Sequence, residues 1–303
     1  LTQGIPELRK KIQNLYGYQD TEDYNCLITS GVSGGIMLAY LAMLDPGDEI
    51  LIPDPYFVMY RDLATLINAK PVCYNTYPDF TIREEELEKS VSPKTKAIII
   101  SSPGNPTGCA MTASEIDVLV SFAKKHQIWI IFDEIYRSFC YDGEHLNCFK
   151  KYPNTLILNG FSKSHGVPGW RIGAAVGPNA IINEMIKLQQ YTFVCTPSIV
   201  QWGLLEAFEI DFSKKLAEYK EKRDFIYNNL KDKYEIVKPS GAFYLFPAAP
   251  GGDGNQFVEK CIENNLLLVP GSVFSTRNSH FRLSFSAPMA QLERGVEVLR
   301  KLA

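Results

Sequence analysis

The sequence predicts an α/β protein: a mainly parallel sheet sandwiched by helices, followed by a smaller α+β region toward the C-terminal end. Three observations carry this reading. Short apolar runs rich in β-branched residues alternate with amphipathic segments from residue 26 to about 178, the pattern of strands joined through helices. Several of these runs are apolar on both faces, as strands are when helices cover both sides of a sheet. The 303 residues, 46% hydrophobic and 21% charged, suffice for one or two ordinary cores.

In chain order, CLITS (26–30) is the first candidate strand, and GGIMLAYLAML (34–44) the amphipathic segment after it. EILIPDP (49–55), KPVCYNT (70–76) and KAIIISSP (96–103) are the next strands. ASEIDVLVSFAKKHQ (113–127) is helical, and Thr112 with Glu115 three residues on forms a capping box at its start. IWIIFDEIY (128–136), TLILNGF (155–161) and GAAVGP (173–178) complete the sheet. From Pro197 to about Asp232 the pattern is helical with one break near Asp211. Beyond it, EIVKPSG (235–241), AFYLFPA (242–248), LLLVPG (266–271) and HFRLSFS (280–286) supply two or three short strands. GNQFVEKCIENN (254–265) and AQLERGVEVLRKLA (290–303) supply two helices. The expected division is a large domain over 1–205 and a small domain over 206–303, with no internal repeat or low-complexity tract.

Composition excludes several classes of partner. A net charge of −3 and a pI near 5.9 give no basic footprint for nucleic acid. No apolar run reaches the roughly 18 residues of a membrane-spanning helix. The seven cysteines are scattered and lack close C-x-x-C pairs, which points to a reducing, cytoplasmic compartment in which they act as small core residues. His126, His145, His165 and His280 lack ligand spacing, so no metal is expected. Leu1 rather than methionine opens the chain, and the expectation is that an N-terminal piece precedes it.

Open α/β sheets bind ligands at the carboxyl ends of their strands, so the residues there come first. After CLITS, the turn GVSGG (31–35) opens a helix and directs backbone N–H groups and the Ser33 hydroxyl at an anion. KAIIISSP runs into GNPTG (104–108), where Asn105 reads, on local grounds, as an Asx-turn residue. Asp133 ends the apolar part of IWIIFDEIY; it caps a following helix or faces a buried cation, with Glu134 competing for either task. Lys163 follows TLILNGF. A desolvated strand-end lysine has a lowered pKa and an amine free to form a Schiff base with a carbonyl. Arg171, in a Gly-Val-Pro-Gly-Trp corner eight residues later, suits a bidentate phosphate contact.

Phosphate donors, a carboxylate and an imine lysine in this order describe a pyridoxal phosphate pocket. The ordered set SGVSGG, DPYF, SPGNPTG, DEIY, FSK, GWRIG and FRLSFS resembles the fold-type I, class I/II aminotransferases of the aspartate/tyrosine aminotransferase superfamily, from GIPELRKKI at residue 4 to the C-terminus. The resemblance implies pyridoxal 5'-phosphate as cofactor, a Schiff base on Lys163, and transfer of an amino group from an L-amino acid to a 2-oxo acid. It implies that Lys163 moves a proton at the substrate α-carbon, that Asp133 holds the pyridine nitrogen protonated, and that Asn105 and Tyr136 bond the ring oxygen. Phe57 stacks on the ring; Val32, Ser33, Ser162 and Arg171 hold the phosphate; Arg282, with Asn105, takes the substrate carboxylate.

The resemblance further implies a homodimer and an N-terminal arm upstream of Gly4. One departure is Gly160, where many relatives place a phosphate-binding serine three residues before the lysine; either Ser162 substitutes for it or the phosphate cup is weaker. A lyase on the same fold, and the cofactor-binding sensor domain of a transcription regulator, are the alternatives.

Overall fold

The computed structural model describes residues 1–18 and 23–303. Helix α1 (Pro6–Leu15) precedes β1 (Tyr24–Ser30), α2 (Gly31–Met43), β2 (Glu49–Asp54), α3 (Val58–Leu66), β3 (Lys70–Asn75) and α4 (Glu84–Ser90). Then come β4 (Thr95–Ser101), α5 (Ala113–His126), β5 (Trp129–Asp133), β6 (Thr155–Gly160), β7 (Ile172–Pro178) and α6 (Asn179–Tyr191). The first seven strands form one sheet in the order β1-β7-β6-β5-β4-β2-β3. They coincide with the seven apolar runs. All point the same way except β7, which pairs antiparallel with both β1 and β6.

The alternation of side chains along each strand sends successive apolar residues to opposite faces. Leu51, Ile98, Ile100, Ile130 and Phe132 pack on one side with Leu8 and Ile12 of α1 and Leu119 and Phe122 of α5. Ile50, Ile52, Ile99, Ile131 and Leu158 pack on the other with Ile36 and Tyr40 of α2, Leu63 of α3 and Met185 of α6. Continuous apolar runs therefore mean what they should: both faces are covered. The expected capping box is formed. The Thr112 hydroxyl accepts from the Glu115 N–H, and the Glu115 carboxylate accepts from the Thr112 N–H.

The C-terminal part continues with α7 (Ser198–Ala207), α8 (Ser213–Leu230), β8 (Tyr244–Leu245), α9 (Gly254–Glu263), β9 (Val269–Pro270), β10 (Phe281–Ser284) and α10 (Met289–Leu302). The helical break falls where the sequence put it, and Asp211 accepts from the Ser213 N–H and hydroxyl to start α8. A three-stranded antiparallel sheet, β8-β10-β9, packs against α8, α9 and α10 around Phe257, Phe281, Phe285, Leu292 and Leu299.

EIVKPSG is not a strand. Its backbone is satisfied piecemeal instead: the Pro239 carbonyl accepts from Arg223, the Ser240 carbonyl from the Tyr141 N–H, and the Gly241 N–H donates to Gly108. Pro239 has no N–H to give a ladder.

Candidate active site

A cavity of about 270 Å³ opens at the carboxyl ends of the large sheet. It is lined by Val32, Ser33, Phe57, Asn105, Asp133, Tyr136, Ser162, Lys163, Arg171 and Arg282, so every side chain singled out from the sequence reaches one space. Residues 131 positions apart in sequence order, Val32 and Lys163, meet there because β1, β7 and β6 are neighbours in the sheet.

The anion end is built by α2 and the turn into β7. α2 starts directly from β1, so its first-turn N–H groups have no intrahelical partner and face the cavity mouth. Arg171 leaves a short 3-10 turn at positive φ (50°). Its guanidinium lies against the helix start, with Nη2 2.9 Å from where a Cβ on Gly31 would sit, and Gly31 itself has φ 66°. Only glycine meets both demands. Arg171 also donates to the Pro168 carbonyl at 3.1 Å.

Gly160 has a physical reason as well. A Cβ there would lie 2.3 Å from Ile135 Cδ1 and 2.8 Å from Val32 Cγ2. The room a serine would occupy is filled by Ile135, and Ser33 and Ser162 are the hydroxyls that line the cavity at this end.

Asp133 closes β5 and is buried. One oxygen accepts from the Ile135 N–H at 3.0 Å and the other from the Tyr60 hydroxyl at 2.7 Å. Burial raises its pKa from the ordinary 3.8 to about 6; the two hydrogen bonds oppose that rise and the adjacent Glu134 adds to it. Glu134 does not compete for the cavity. It is fully buried on the other side of the strand end, accepting from His145 at 2.7 Å, Asn147 at 3.0 Å, Arg137 at 3.2 Å and the Tyr16 hydroxyl. These donors hold its pKa below the usual carboxylate range despite desolvation.

Lys163 is partly buried and makes no ion pair among the described residues. Burial, followed by the Arg282 and Arg171 charges, lowers its pKa. Asn105 is not a local turn bonder: its side-chain oxygen accepts from Arg282 Nη1 at 2.9 Å. Arg282 sits between the rings of Tyr244 and Phe274, 4.6 and 4.5 Å from their centroids, and its Nε has no hydrogen-bond partner. Burial lowers its pKa too. Tyr136 shares a 2.9 Å hydroxyl contact with Tyr244, and its pKa is pushed well up, mainly by burial.

Sequence reasoning missed Tyr60, Ser101, Ile135 and Tyr244, which also line the cavity. Tyr60 had a signal, since it follows Phe57 by one helical turn on α3. Tyr244 had none, because its contacts with Tyr136 and Arg282 are long-range. His165 stays outside, held by Ser164 and the Ala207 carbonyl. Among the described residues no His, Cys, Asp and Glu cluster could hold a metal ion, and no helix is long and apolar enough to cross a membrane.

An unpaired amine of lowered pKa, a buried carboxylate, a helix start facing an arginine, and a second arginine without a carboxylate partner can together bind a doubly anionic ligand and carry out imine chemistry. The comparisons with known proteins agree. The family model described as aminotransferase class I and II matches residues 1–299. A probable aspartate aminotransferase of Methanocaldococcus jannaschii is 36% identical over 313 aligned residues, covering 99% of this chain and 84% of that protein. The crystal structure of the aspartate aminotransferase of Thermotoga maritima matches with a TM-score of 0.92 at 32% identity, covering 99% of this chain and 82% of that one. The aromatic aminotransferase of Pyrococcus horikoshii matches with a TM-score of 0.93 at 31% identity, covering 99% and 88%. These relatives favour neither the lyase nor the regulator alternative. The chain belongs to the class I and II aminotransferases, fold-type I enzymes that transfer amino groups with pyridoxal 5'-phosphate.

Proposed function

We propose that this aminotransferase moves the amino group of an L-amino acid to a 2-oxo acid with Lys163 as covalent anchor and proton carrier. The observation that carries the assignment is the pairing of Lys163, without an ion-pair partner among the described residues and of lowered pKa, with buried Asp133 across one cavity. The residues present fit the cofactor. The α2 start and Arg171 offer converging donors to a phosphate, with Ser33 and Ser162 beside them. Asp133 has accepting capacity left, since each carboxylate oxygen takes two donors and each has one here. When bound, pyridoxal 5'-phosphate supplies a carbonyl carbon for an amine and a ring that draws electrons from the substrate α-carbon.

The chain's own groups divide the remaining work. Arg282 and Asn105 hold the substrate α-carboxylate, which places the α-carbon toward Lys163. The Lys163 amine, unprotonated at neutral pH more readily than an exposed lysine, is the base that takes the α-proton. Asp133 would hold the proton on the pyridine nitrogen, Tyr136 and Asn105 would donate to the ring oxygen, and Phe57 would cover the ring face. The division into 1–205 and 206–303 is part of the proposal, supported by the separate apolar clusters of the two sheets.

A homodimer is also proposed. Tyr191, Val194, Ile199 and Trp202 expose apolar surface within one short stretch of the chain, and a second copy of the chain would cover it. The free cysteines suit a reducing, cytoplasmic setting. Aspartate and aromatic amino acids, the substrates in the names of the relatives, are the first donors to try.

Borohydride reduction of the cofactor-loaded protein followed by peptide mass spectrometry tests the anchor. The label is expected on Lys163, with loss of the visible absorption. Lys163→Ala protein that still carries a reducible covalent cofactor would refute the assignment.

A further inference from the structure

Arg282 is shaped for its task by a neighbour that does not line the cavity. Its guanidinium lies between the rings of Tyr244 and Phe274, so its position depends on both rings staying in place. Tyr244 is tied by its hydroxyl to Tyr136. Phe274 follows a short 3-10 turn, Gly271–Val273, in the C-terminal region, and its carbonyl accepts from the Tyr56 N–H at 2.7 Å.

The next residues are fastened to the end of β2. Asp54, 5% exposed, accepts from the Ser275 hydroxyl at 2.5 Å with one oxygen. With the other it accepts from the Thr276 N–H at 3.3 Å and from the Thr276 hydroxyl. The Tyr77 hydroxyl donates to Ser275 Oγ at 2.9 Å. Arg277 then donates to Asn75 at 2.9 Å and lies 4.3 Å from the centroid of the Tyr77 ring. Asp54 makes no ion pair among the described residues. Among the described residues the donors to its carboxylate come from Ser275 and Thr276, the two residues after Phe274, more than two hundred positions away in sequence.

We propose that Asp54 is a positioning residue for substrate carboxylate binding: it clasps Ser275 and Thr276 and thereby holds Phe274 against the Arg282 guanidinium. The proposal rests on the reading of Arg282 as the α-carboxylate contact. Asp54→Asn keeps the shape but turns one acceptor into a donor that faces the Thr276 N–H and hydroxyl, so the clasp opens on that side. Phe274 then loses its fixed place, Arg282 gains freedom that it must lose again when substrate binds, and affinity for any α-carboxylate falls. Arg171 and the α2 start, which would hold the cofactor phosphate, have no part in the clasp, so cofactor affinity should be unaffected.

The test is a double-mutant cycle on the holoenzyme with Asp54→Asn, Arg282→Ala and the pair together, alongside Ser275→Ala/Thr276→Val, which opens the clasp from the other side. Binding of 3-phenylpropanoate, a carboxylate with no amino group to react, is measured by calorimetry, and KM, kcat and cofactor affinity are measured in parallel. Asp54→Asn and the Ser275/Thr276 variant are each expected to weaken 3-phenylpropanoate and raise KM about tenfold, with kcat within about threefold and cofactor affinity unchanged. In the Arg282→Ala background, Asp54→Asn is expected to add nothing. Wild-type affinity in both clasp variants, or a loss that persists in full without Arg282, would overturn the clasp. An unaltered affinity in Arg282→Ala itself would overturn the reading of Arg282 on which the clasp rests.

Discussion

Replacing Asp133 by asparagine in the cofactor-free protein is expected to raise stability while destroying activity, and the size of the gain follows from the site. The carboxyl has a pKa of about 6 in the folded protein against an ordinary 3.8, and the leading cause is burial. At about 1.4 kcal/mol per pH unit this corresponds to about 3 kcal/mol of native-state penalty at neutral pH. The sign follows from proton counting. Between pH 3.8 and 6 the folded protein binds more protons at this group than the unfolded chain does, so stability falls as pH rises through that window and is level above it. Asparagine has no charge to bury, and its side chain can still accept from the Ile135 N–H and bond the Tyr60 hydroxyl. The variant should therefore be more stable by about 3 kcal/mol at pH 8 and by about half that at pH 5. For a chain of 303 residues the larger figure is a rise in Tm of about 5 °C. Thermal unfolding of both cofactor-free proteins at the two pH values measures it. With Asp133 in the role proposed for it, transamination by the loaded variant should fall at least about a hundredfold, because no charge would then fix the ring proton. A variant no more stable than the parent at pH 8, or more stable by the same amount at both pH values, would show that Asp133 carries no such burial penalty.

The neighbouring carboxylate should behave in the opposite sense. Glu134→Gln leaves an amide nitrogen facing the donors His145 and Asn147, so urea unfolding at pH 7 should show a loss of about 3–5 kcal/mol. Because the Glu134 pKa is lowered in the folded protein, its contribution is present above its ordinary 4.5 and lost as pH falls through the folded value. Gly160→Ser should destabilise by about 1–3 kcal/mol through overpacking against Ile135 and Val32, and Ile135→Val, which removes the clashing Cδ1, should recover part of it. Equal urea midpoints for the glycine and serine proteins would refute the packing argument.

Legibility from the sequence varied with the range of the interactions involved. The strands of the large sheet were readable because each is a local apolar run bounded by turn residues, and the α5 cap because its two partners are three residues apart. The reversal of β7 was not readable, since an apolar run has no direction. EIVKPSG looked like a strand on composition, but its partners are a buried arginine and loop backbone, which no local pattern reveals. At the site, Lys163, Asp133 and Arg171 stood out as polar groups at strand ends. Asn105 on its own read as a turn residue, because the Arg282 fork that occupies it arrives from far along the chain. Tyr244 and Phe274 look like ordinary core aromatics until the guanidinium between them is seen.

The lone reversed strand constrains how this enzyme can change. Because β7 runs against β6, Lys163 and Arg171 sit on the connection of one hairpin, while every parallel pair in the sheet is joined by a longer connection. A residue gained or lost within 161–171 would move the amine relative to the guanidinium, and both line the same cavity. A residue gained at the exposed turn around Gly143 would move neither. Descendants of this chain are therefore free to vary in length at exposed turns remote from the cavity, but the span between this amine and this guanidinium is one they inherit unchanged.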